Sequence, residues 1–154
     1  LAKLDGIERA VLLRPPRWGK TLWLSMLECY YGVAHKERFG ELFGGLDIVR
    51  RAKELQPDTS LQSSFHVLRV VLPGLITPDP KDYVREFDQA VLLACKDLLY
   101  HLRMQQDAQG LPWPSFGGWN AGNAIRAVAR FVNFELKGKL MVRVTSLWLR
   151  TMQS

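Results

Sequence analysis

A chain of 154 residues, 47% of them hydrophobic, supports one compact domain with a real core and no more, and it holds no apolar run long enough to span a bilayer. Its formal net charge of +6 permits a polyanionic partner, nucleic acid included. Two widely separated cysteines, Cys29 and Cys95, read as buried free thiols, and with no secretory signal at the start they point to a reducing intracellular setting, cytoplasm or nucleus.

The first predicted element is a strand over Ala10-Val11-Leu12-Leu13. A basic loop, Arg14-Pro15-Pro16-Arg17-Trp18-Gly19, follows at once and runs into a helix that opens on Lys20-Thr21. Strand, tight loop and helix form the setting of a phosphate-binding loop. The N–H groups of the first helical turn lack intrahelical acceptors and the macrodipole adds partial positive charge, so the turn suits an anion. In that role Lys20 reaches the β- and γ-phosphates, the Thr21 hydroxyl ligates Mg²⁺ and Gly19 lets the backbone come close. The match to G-x-x-x-x-G-K-[ST] is incomplete, because Arg14 stands at the first glycine position and Pro15 and Pro16 donate no backbone hydrogen bond. The cradle then falls to the N–H groups of Arg17 through Thr21, with the guanidinium groups of Arg14 and Arg17 supplying charge. The plain alternative is a basic loop that happens to precede a helix, with Lys20 and Thr21 solvated or capping.

The helix from Lys20 to about Tyr31 is apolar on more than one side, as expected between a sheet and outer helices, and Gly32 stops it. Short helices are expected from about His35 to Phe43, closed by Gly44-Gly45, and from Asp47 to Leu55, where Arg50, Arg51 and Lys53 take a solvated face. Phe65 to Leu72 is the best internal strand, ended by Pro73-Gly74. The clearest helix starts at Asp79-Pro80, with Asp79 as cap and Asp82 near the positive end of the dipole. Tyr83, Phe87, Val91, Cys95, Leu98 and Leu102 recur at helical spacing and predict one core face. A loop is expected over Asp107 to Gly118, and the stretch Trp113 to Trp119 is expected to tuck its tryptophans onto the core, an aromatic contact surface being the alternative. Asn120 to Leu136 reads as a further helix, and Gly138 separates it from a last strand, Leu140 to Val144.

In P-loop ATPases a buried strand ends in a carboxylate that holds Mg²⁺, often followed by one that activates water. Here Leu140 to Val144 is followed by Thr145-Ser146, and no carboxylate occurs from Lys137 to the end. Catalytic residues are therefore unassigned. One explanation is a single-nucleotide frameshift after the Val144 codon that leaves residues 145–154 out of frame; the other is divergence to a binder that does not hydrolyse. His35, His66 and His101 are isolated and no zinc spacing occurs, nor does any serine sit in a nucleophile elbow.

The stretch from Arg14 to Tyr31, reading R-P-P-R-W-G-K-T-L-W-L-S-M-L-E-C-Y-Y, resembles the signature of the AAA-ATPase-like domain family, R-P-R-R-F-G-K-[ST]-L-x-L-S-M-L with an aromatic pair after it. Phe39 to Ile48 is similar to the family's F-x-x-L-F-x-G-L-x-I segment, and Val67 to Leu72 sits where the family places its next core strand. Pro16 replaces a basic residue and Trp18 a phenylalanine. The resemblance implies a P-loop NTPase, found in prokaryotes beside nuclease modules, and carries the nucleotide-phosphate role onto Arg14, Arg17, Trp18, Gly19, Lys20 and Thr21, with ATP and Mg²⁺ as ligands. The expected fold is α/β, a truncated P-loop NTPase core with helices packed on a mainly parallel sheet, in a single partial domain over residues 1–154. The start at Leu1 reads as a fragment whose intact parent hydrolyses ATP. The rival readings are a non-enzymatic interaction module and a nucleic-acid-associated protein that uses the basic loop; a membrane partner is not expected.

Overall fold

The computed structural model describes Val11 and residues 18–47, 49–50, 61–72, 79–105 and 110–146. The elements in chain order are α1 (Lys20–Tyr31), a 3-10 turn (Val33–His35), α2 (Phe39–Phe43), β1 (Phe65–Leu72), α3 (Pro80–Gln105), α4 (Ala121–Phe134) and β2 (Lys139–Ser146). The architecture is α/β, with helices packed on a parallel sheet that has two strands among the described residues, β1 beside β2. Two compact units divide the chain between His66 and Val67.

In the first unit the C-terminal turn of α1 is the anchor. Tyr30, Tyr31 and Phe43 are buried. The Tyr30 ring meets Tyr31 and Phe43 edge-on, with centroids 4.9 and 5.5 Å apart, the arrangement that ring quadrupoles favour. Gly32 ends the helix in an extended conformation, its N–H donating to Glu28 O, and pairs with Phe65 in a parallel bridge. The incoming chain satisfies two carbonyls that α1 leaves over: Ser63 N–H donates to Tyr30 O and Ser64 N–H to Tyr31 O, both at 2.9 Å.

Three expectations need correction in this unit. The apolar N-terminal half of α1 is not covered on both sides, since Leu22 and Met26 are exposed, and burial is confined to its last turn. The helix expected over residues 35–43 is split, because Lys36 closes a separate 3-10 turn and α2 starts only at Phe39. Of the strand expected over residues 10–13 only Val11 is described, and it stands outside any strand, 84% exposed. Most of the helix expected over residues 47–55 lies outside the described residues.

Among the described residues the second unit holds most of β1, the helices α3 and α4, and the parallel strand β2. Leu68 and Val70 of β1 alternate inward with Arg69 and Val71 outward, the period of a half-buried strand. The inward pair joins Val91, Cys95, Leu99 and Leu102 of α3 and Ala124, Val128, Phe131 and Val132 of α4 in one core. Phe87 and Leu98 pack at its margin, so most of the expected α3 stripe is core. Tyr83 is the exception, 47% exposed. A 26-residue helix is about 39 Å long and an eight-residue strand only about 26 Å, so the ends of α3 overhang the sheet. Asp79 caps α3 as expected, its Oδ1 accepting from Lys81 N–H at 2.8 Å. Trp113 packs on the core residue Phe131 with centroids 4.7 Å apart, as expected, whereas Trp119 meets Phe116 edge-on at 5.6 Å.

The start of α4 is held twice. Asn120 Oδ1 accepts from Asn123 N–H at 2.9 Å, and Asp88 of α3 accepts from Ala121 N–H at 2.8 Å, placing a carboxylate at the positive end of the helix. Asn120→Ala is expected to lower stability by about 1 kcal/mol, and Asp88→Ala by a similar amount or more because its bond is charge-assisted. Chemical denaturation of the two variants checks this.

Both cysteines are free; Cys95 is fully buried and Cys29 half-buried. Burial pushes the Cys95 thiol up to about 11, so almost no thiolate exists near neutral pH. Iodoacetamide at neutral pH is expected to label Cys29 first and Cys95 only in denaturant, as peptide mass spectrometry will show.

Candidate functional site

The turn that opens α1 is built around Gly19. It takes φ 68° and ψ 25°, the left-handed region that costs an L side chain dearly and glycine little. A β-carbon there would meet nothing within 4 Å, so the demand for glycine is one of backbone conformation and not of space. Gly19 O accepts from Trp23 N–H at 2.9 Å, the bond that starts the helix.

As the N-cap, Gly19 offers no side-chain acceptor, and the first turn of α1 contains no acidic residue. The positive end of the helix is therefore left without the internal anion that many helices carry there. Lys20 is half-buried, while Gly19 and Thr21 are exposed and Trp18 is 66% exposed. The turn is open to solvent. Of the residues expected to contact phosphate, the structure brings together Trp18, Gly19, Lys20 and Thr21; Arg14 and Arg17 lie outside the described residues.

Elsewhere the chemistry is sparse. Among the described residues no group of three or more His, Cys, Asp or Glu side chains is placed to hold a metal ion. The last strand extends over Lys139–Ser146, longer at both ends than expected, and carries no carboxylate. It carries instead Arg143, the one buried charged residue among those described, which takes part in a polar or electrostatic interaction. The alternating Met141-Val142-Arg143-Val144 pattern hides that role, because an arginine in a strand usually faces water.

His66, in β1, is held below its ordinary pKa by burial. A groove of about 620 Å³ runs along β1 and α3, lined by Arg69, Val71, Glu86, Gln89, Leu93 and Asp97 among others, and contains no residue of the Gly19 turn. No described helix is long and apolar enough to cross a membrane.

Against known proteins, the model of a family described as predicted AAA-ATPase matches residues 2–133. Neither a curated protein nor a solved structure matches the chain.

Proposed function

The chain belongs to the AAA-ATPase-like family, and from that premise we propose that it binds ATP with Mg²⁺ at the turn formed by Trp18, Gly19, Lys20 and Thr21. The observation that carries the proposal is the helix start itself: a left-handed glycine, no capping side chain, no acidic neighbour and a lysine at the first helical position. An anion fits there, because backbone N–H groups and the dipole both favour it.

In this reading the Lys20 ammonium pairs with the β- and γ-phosphates and the Thr21 hydroxyl is the protein's ligand to Mg²⁺. Arg14 and Arg17 add charge where Pro15 and Pro16 donate no N–H. Trp18 flanks the phosphates. Bound Mg²⁺ neutralises phosphate charge that the loop alone does not.

The proposal stops at binding. Phosphoryl transfer to water needs a group that positions or activates that water, and no carboxylate lies between Lys137 and Ser154.

Isothermal titration with ATP, ADP and AMP, each with and without Mg²⁺, tests the reading. Selective, Mg²⁺-dependent binding of the triphosphate is the expected result, without phosphate release beyond the uncatalysed rate. Equal binding of all three nucleotides, or none, overturns it.

A further inference from the structure

The outer face of α4 plays no part in the proposed nucleotide site. Ala121, Ala124, Val128, Phe131 and Val132 turn inward, so the helical period sends Arg126, Arg130 and Phe134 to the opposite side, four residues apart along one stripe. All three are exposed, and at 75% Phe134 is the most exposed large apolar side chain on the described helices. Arg126 is steadied by Asn123, whose Oδ1 accepts from its guanidinium at 2.8 Å. No carboxylate occurs from Ala121 to Phe134.

We propose that this face of α4 binds single-stranded nucleic acid, with Arg126 and Arg130 on backbone phosphates and Phe134 stacked on a base. Guanidinium groups match phosphate oxygens in geometry and charge. One helical turn of four residues rises about 6 Å, comparable to the step between phosphates of an extended strand. The ring decides between partners. A duplex shields the faces of its bases, whereas an unpaired strand offers them, and an aromatic side chain beside cations is the usual platform for such a strand. An acidic protein surface would use the arginines and leave Phe134 without a role.

Fluorescence anisotropy of labelled oligothymidylate and of a duplex of equal length, over a salt series with the full chain, tests this. Wild type is expected to prefer the single strand, with affinity falling as salt rises. Replacing both arginines (Arg126→Gln with Arg130→Gln) should weaken binding and flatten the slope of log K against log salt by about 1.4, or about 0.7 per phosphate contact. Phe134→Ala should weaken binding roughly tenfold with the slope unchanged. Lys20→Ala, which removes the proposed nucleotide contact, should leave strand binding as it is. The proposal is overturned if the double arginine variant keeps wild-type affinity and slope, if Phe134→Ala binds as wild type, or if the duplex binds as tightly as the single strand. It is equally overturned if Lys20→Ala loses as much as the arginine pair, since the phosphates would then belong to the Gly19 turn. All the substituted positions lie outside the core, and circular dichroism confirms that each variant is folded.

Discussion

Lys20→Ala is expected to lower ATP affinity by roughly 10- to 150-fold, the equivalent of the 1.5–3 kcal/mol that a hydrogen bond to a charged group contributes. Lys20 is the first residue of α1 and only half-buried. Alanine is the better helix former there, so the helix should persist and the loss should fall on the ligand alone. Lys20→Arg keeps the charge but replaces a compact ammonium with a planar fork, and an intermediate affinity is expected. Calorimetric titration of the three proteins reads the effect directly. An unchanged dissociation constant in Lys20→Ala would remove the site, because no other described residue of the turn carries a formal positive charge.

The turn was legible in the sequence because its determinants are local. Gly19, Lys20 and Thr21 are consecutive, and one left-handed residue followed by a helix is set by backbone sterics within a few positions. β1 was legible to the residue for a similar reason: alternating apolar positions between Ser64 and the Pro73-Gly74 break leave little choice of ends. The cap of α3 by Asp79 follows from a two-residue separation.

What escaped the sequence is long-range. The carboxylate of Asp88 that holds the start of α4 lies 33 residues from its partner, Ala121. Nothing near either residue announces the pairing. Tyr83 keeps the spacing of a core residue, but periodicity reports direction around a helix and not whether a sheet lies underneath at that height. The exposure of Leu22 and Met26 has the same origin, since an apolar side chain only creates a demand for cover, which other elements meet or leave unmet. Arg14 and Arg17 remain expectations of the motif, outside the described residues.

The largest stability effect is expected at Leu68. It is fully buried at the centre of β1, in one cluster with Val91 and Cys95 of α3 and Val128 and Val132 of α4. Truncation to alanine removes apolar bulk from the core that both helices share and leaves a cavity that the strand, tied to β2, cannot close by moving. Leu68→Ala should therefore cost about 2–5 kcal/mol, against a total of about 5–15 kcal/mol for a domain of ordinary stability. Leu68→Met keeps most of the volume and should cost less than about 1.5 kcal/mol. Urea denaturation followed by far-ultraviolet circular dichroism distinguishes the two, the alanine variant showing the lower midpoint at similar slope. Equal midpoints for wild type and Leu68→Ala would mean that β1 does not organise this core. At Val71 the same strand faces outward and the side chain is 38% exposed, so Val71→Ala should cost clearly less than Leu68→Ala; the contrast tests the inward and outward register of β1 rather than the general cost of losing methyl groups.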